Sequence, residues 1–128
     1  MATRIFLALS TLLWLPYGLY CLLRPASLAA AAGVAFQSAT GSTELRAMYG
    51  GLEAALGVLA ALALRRSSLV RPALVAIGFL TAGLAAGRLV GVALDGGFSS
   101  YTAMALGLEA ASALIASGLL RARVGVTA

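Results

Sequence analysis

Four charged residues lie inside stretches that read as membrane spans: Glu53, Glu109, Arg46 and Arg88. A charge at the bilayer centre costs about 2.5 kcal/mol or more, so such groups face the protein interior and pair. The spacing supports this. Arg46, Tyr49, Gly50, Glu53 and Gly57 recur at i, i+3, i+4 and i+7 and share one helix face. Thr81, Arg88 and Asp95 share a face at heptad spacing, as do Thr102, Glu109 and Ser112 on a later helix. The two acids and two arginines form a neutral set, with Glu44 and Asp95 at its outer rim and Tyr49 as a hydrogen-bonding wall. This predicts a buried polar core open toward the outer face. Such a core can hold a small amphipathic molecule or a lipid headgroup, or relay protons as a small proton-coupled transporter would. Equally, it can be an ion network that only fixes helix packing in a structural or accessory subunit.

Depth along the helices points the same way. Glu53 is about 13 Å from Glu44 at 1.5 Å per residue, and Glu109 is about 13 Å from Ser100. Both fall near the middle of a hydrocarbon layer about 30 Å thick. Arg88 is about 10 Å from Asp95. The three are expected to meet in one layer. An internal repeat strengthens the link, because residues 47–66 align with 103–122 with half of the positions identical, and Glu53 falls on Glu109. Helices two and four then run the same way across the membrane, as in a parallel repeat of helical hairpins.

The elements that must position these groups follow from composition. The chain has 128 residues, 62% hydrophobic and 10% charged, with a mean hydropathy of +1.01. A soluble domain carries roughly 25% charged residues, so the class is an all-α integral membrane protein. A span needs about 20 apolar residues in a helix. Four stretches qualify, at about 5–23, 44–64, 73–94 and 101–120, giving one four-helix bundle over 1–128 with an outer loop at 24–43. Arg24-Pro25 closes the first span, and Gly41-Ser42-Thr43-Glu44 offers capping oxygens to the second. Arg65-Arg66-Ser67-Ser68 ends the second, Pro72 suits a first helical turn, and Asp95-Gly96-Gly97 is a turn followed by Ser99 or Ser100 as a cap. Residues 26–36 are expected as a short interfacial helix or a cover over the bundle.

Arg4, Arg65, Arg66, Arg71, Arg121 and Arg123 fall on one side, which the positive-inside rule places in the cytoplasm with both termini. The net charge of +5 is then a topology signal and calls for no nucleic-acid partner. Arg4, the apolar run and the later alanines resemble a secretory signal peptide. The run is longer than the roughly 7–15 residues of such a segment, and Arg24-Pro25 interrupts it, which favours a retained span.

Other chemistry is thinly supplied. There is no His, and Cys21 is the one cysteine, so imidazole sites, disulfides and cysteine-ligated clusters are excluded. No enzyme activity is expected, with a membrane enzyme as the alternative, and no cofactor or metal. Met48 and Met104 are equivalent in the repeat and can bind Cu(I) as paired thioethers, although core packing explains them more simply. Trp14, Tyr17 and Tyr20 can wall a cavity, with interfacial anchoring as the ordinary role. Gly83, Gly87 and Gly91, spaced at fours, and Gly107 read as helix-packing positions. The expected surroundings are the lipid bilayer, a lipid or amphipathic ligand, and a homodimer or larger membrane complex through glycine faces.

The string Glu44-Leu45-Arg46-Ala47-Met48-Tyr49-Gly50-Gly51, with Ala86-Gly87-Arg88-Leu89, Asp95-Gly96 and Glu109, resembles a bacterial family of small four-helix membrane proteins catalogued as a domain of unknown function. The likeness runs from about Leu12 to Leu120. It implies the four-helix architecture, places the acid and arginine positions in the family's pattern, and brings no activity. A looser likeness in size and layout to DoxX-like proteins transfers no function. The implied location is a bacterial inner membrane.

Overall fold

The computed structural model describes residues 1–124; the side chains of Arg123 and Val124 lie outside the described part. The helices are α1 (Ala2–Leu23), α2 (Ser27–Ala32), α3 (Ala39–Arg65), α4 (Ser67–Asp95) and α5 (Ser100–Val124), and no strand occurs among the described residues. All but α2 are long and apolar enough to cross a membrane, which makes the chain an all-α, multi-pass membrane protein. Only 11% to 33% of each span is buried within the chain. The exposed positions are apolar, with Leu12 72%, Phe79 81% and Leu114 74% exposed, a surface matched to lipid tails rather than to water.

Helix ends follow local capping. Arg24 closes α1 immediately before Pro25. In α2, Gly33 takes φ +69 and ends the helix with its N–H on the Ala29 carbonyl, a left-handed conformation that glycine adopts without penalty. The second span starts at Ala39, ahead of the residues expected to cap it. Ser38 is extended, and its Oγ accepts from the Gly41 N–H at 3.1 Å, so an earlier capping oxygen takes that role. Thr43 is thereby inside the helix, where its hydroxyl donates to the Ala39 carbonyl at 3.0 Å. A 3-10 turn, Ser67–Leu69, leads into α4 and leaves Pro72 within the first α-helical turn. Gly96, at φ +67, reverses the chain after α4, and Ser99 Oγ caps α5 by accepting from the Thr102 N–H at 3.1 Å.

The helices group into two compact units, one spanning Thr3–Val70 and the other running from Arg71 onward. In the first, α1 and α3 form an antiparallel hairpin at very close range. A Cβ placed on Gly18 would stand 2.3 Å from the Ala54 nitrogen, one on Gly57 2.4 Å from the Leu15 nitrogen, and one on Gly50 2.7 Å from the Leu22 Cα. Successive contacts pair later α1 residues with earlier α3 residues, as an antiparallel pair must. Trp14 is buried on α1, so it is a core residue rather than an interfacial anchor. In the second unit α4 and α5 also run antiparallel. A Cβ placed on Gly78 would stand 3.2 Å from the Ala116 methyl, and further along Arg88 faces Glu109.

The closest approaches within each hairpin fall at other glycines than those singled out from the sequence. Within its hairpin, a Cβ on Gly83, Gly87, Gly91 or Gly107 would meet nothing within 4 Å. Around Arg88 and Glu109 the helices meet through long side chains, which need room that close backbone approach would remove. The tight contacts are at Gly18, Gly50, Gly57 and Gly78 instead. Gly57→Ala is therefore expected to destabilise the first hairpin by about 2 kcal/mol, while Gly87→Ala is neutral or slightly stabilising. Steric-trapping unfolding in bicelles compares the two; equal effects would contradict this packing.

Candidate functional site

The first hairpin carries Glu53, Arg46, Tyr49 and Glu44. Glu53 lies midway along α3 and is 9% exposed, whereas Glu44 is exposed near the helix start. Between them the helix widens into a π turn over Arg46–Gly51. Such turns hold an extra residue and often occur at functional sites. The two adjacent glycines here are poor α-helix formers, each about 1 kcal/mol worse than alanine, so the sequence resists the distortion weakly. Gly50 is buried against the Leu22 backbone.

Arg46 stands at the start of the π turn, half-buried, and its Nη1 donates to the Leu22 carbonyl at the end of α1. The last carbonyls of a helix have no partner within it, and a cation there also meets the negative end of the helix dipole. Arg4 makes the reverse contact, Nη2 to the Leu64 carbonyl near the end of α3, at a long 3.5 Å. Each helix of the hairpin thus supplies an arginine to the C-terminal carbonyls of the other. For Arg46 this is a backbone role that acid–arginine pairing in the sequence did not indicate. Close to Glu53 the opposite helix offers neutral groups: Cys21 is buried, hydrogen-bonds Tyr17 and lies within electrostatic range of Glu53.

The second hairpin carries Arg88, Glu109 and Asp95. Arg88 and Glu109 form an ion pair in which Nε donates to both carboxylate oxygens at 2.9 Å. The Glu109 side chain is 5% exposed and that of Arg88 23%. The guanidinium carbon also sits 5.6 Å from the centre of the Tyr101 ring, within range of a cation–π attraction worth about 0.5–1 kcal/mol. Sequence reasoning missed Tyr101. The available signal was its place two helical turns before Glu109, on nearly the same face. Asp95 is exposed at the end of α4, and Thr81, two turns below Arg88, is fully buried with its hydroxyl on the Ile77 carbonyl at 2.7 Å. The remaining expectation concerns the methionines: Met48 and Met104 are 57% and 65% exposed, so neither packs in a core.

The repeat is visible in burial. Glu53 and Glu109 are buried, as are Ala60 and Ala116, while Met48 and Met104, and Leu52 and Leu108, are exposed. A family model described as Domain of unknown function (DUF4345) matches residues 2–120. The chain belongs to this family. The DUF4345 match takes in all four spans, the π turn, both glutamates and both arginines within the spans. No curated protein and no solved structure gives a significant match.

Removing one member of the Arg88–Glu109 pair leaves a charge in an apolar span. Glu109→Leu is expected to cost about 3 kcal/mol, and Arg88→Leu in the same chain to recover most of it. Denaturant titration of the single and double variants in bicelles measures this. Additive losses would show that the two side chains do not depend on each other.

Proposed function

We propose that this DUF4345 protein binds a small amphipathic molecule or a membrane lipid, and that Arg88 is the group that receives its polar head. The observation that carries the reading is the state of Arg88. It is a partly exposed guanidinium inside a span, held by Glu109 through Nε and by Tyr101. A guanidinium presents several further N–H donors in a planar fork suited to carboxylate or phosphate oxygens. Glu109 and Tyr101 fix its orientation, and the apolar surface around it suits a hydrocarbon tail. The hairpin's ion pair stays neutral overall, so a ligand held by hydrogen bonds needs no extra counter-charge. The role is binding rather than catalysis, and the arginine-rich ends, including both termini, lie in the cytoplasm in this reading.

A structural role is the competing reading, and the first hairpin favours it. Arg46 spends its guanidinium on the Leu22 carbonyl, which ties helices together and leaves that arginine poorly placed for a ligand. The two readings separate in native mass spectrometry from mild detergent. Wild type is expected to carry a specific small molecule or lipid. An Arg88→Leu/Glu109→Leu protein, which buries no lone charge, should keep its helical circular dichroism and lose that adduct. An empty wild type, or an adduct retained by the double variant, rejects Arg88 as the binding group.

A further inference from the structure

At the end of the second hairpin away from the Gly96 turn, a cavity of about 440 Å³ opens between α4 and α5, lined by Arg71, Val75, Leu120 and Arg121. Positive-inside reasoning assigns these arginines an orienting role, but their surroundings indicate more. Arg71 and Arg121 come from different helices and are both exposed, and among the described residues neither takes part in an ion pair. The acids of this hairpin are remote from them. Asp95 is at the opposite end of α4, and Glu109 is about 18 Å along α5 from Arg121. Two uncompensated positive charges therefore stand over a floor of Val75 and Leu120. Val75 is itself exposed, and the surface beyond it, through Phe79 on α4 and Ile115 on α5, is apolar and exposed.

We infer that this cavity is a binding site for the phosphate headgroup of an anionic membrane lipid, distinct from the Arg88 site. A volume of this size suits a small headgroup, and guanidinium forks match phosphate oxygens bidentately. The apolar floor gives the glyceride and acyl chains a surface, which a lipid uses and inorganic phosphate does not. Basic pockets between spans at the membrane surface recognise anionic lipids by this combination.

The test is native mass spectrometry of the full chain in neutral detergent with phosphatidylglycerol or phosphatidylcholine of identical acyl chains. Wild type is expected to prefer phosphatidylglycerol. Arg71→Gln or Arg121→Gln alone should each lower that preference about fivefold, and the double variant should abolish it. Arg71→Lys/Arg121→Lys keeps the charge but loses the bidentate fork, and should retain part of the preference, which also decides the matter should the double glutamine protein not fold. In an Arg88→Leu/Glu109→Leu background the same substitutions at Arg71 and Arg121 should lower the preference by the same factor, which separates this site from the one proposed above. Equal binding of both lipids by wild type, full preference in the glutamine variants, or none in the lysine pair overturns the inference. So does displacement of the lipid by an equal concentration of inorganic phosphate, which would mark a site for the free anion.

Discussion

In hydrocarbon there is no water to complete a hydrogen bond, so every polar group carried into the membrane must find its partner within the protein. That constraint organises both hairpins. Arg88 and Glu109 satisfy each other through two bonds from one nitrogen, and Tyr101 covers the guanidinium face. In the first hairpin the same constraint acts on backbone. The carbonyl of Leu22 would be left over where α1 ends before Pro25, and Arg46 reaches across to take it. The packing follows from these polar contacts. Where arginine meets a backbone oxygen, α1 and α3 approach until only glycine fits; where arginine meets a carboxylate, α4 and α5 stand further apart around the side chains.

The π turn belongs to this logic. An α-helix interior has no reason to widen unless something is gained by the extra residue. Here the widened segment begins with Arg46 and ends with the Gly50-Gly51 pair. One of those glycines lies against the same residue, Leu22, whose carbonyl Arg46 holds. The turn therefore combines a side-chain cap and a close backbone contact at one point on α1. The string from Glu44 to Gly51, the most distinctive run in the sequence, is the segment that builds it.

Much of the fold was legible because its signals are local. Four apolar runs, Arg24-Pro25, Pro72 and Ser99 predict spans and ends that the structure reproduces to within a few residues. The second span is the exception, since the cap is Ser38, ahead of the Gly41–Glu44 segment expected to supply it. The Arg88–Glu109 pair was one of the pairings that depth arithmetic allowed. What the sequence could not show depends on the partner surface. Glycine spacing does not say which helix lies against it, so nothing in the sequence marked Gly18, Gly50 and Gly57 as the points of closest approach in the first hairpin. Arginine likewise reads as a counter-charge for an acid, and only geometry reveals that Arg46 serves a carbonyl. Tyr101 was legible only through its place two helical turns before Glu109, since an aromatic in a first helical turn otherwise looks like any interfacial tyrosine.

The internal repeat shows how the two hairpins diverge. Glu53 and Glu109 occupy equivalent positions and are similarly buried, with matched exposed neighbours, so the helix that carries the acid has kept its pattern of faces. The helix opposite has not. Facing Glu109 is a cation that matches its charge, whereas the α1 residue within electrostatic range of Glu53 is Cys21. The same side chain in two such settings has different work open to it. Beside a guanidinium it forms short charge-assisted bonds that fix the cation's direction, which is what an arginine presented to a ligand requires. Binding of an outside molecule needs a cation that is held in place and still reachable, and Arg88 is fixed by an acid beside it, whereas Arg46 is anchored to the end of α1. The divergence of the opposing helices, more than the persistence of the repeated one, is therefore what favours the second hairpin as the place for a binding role.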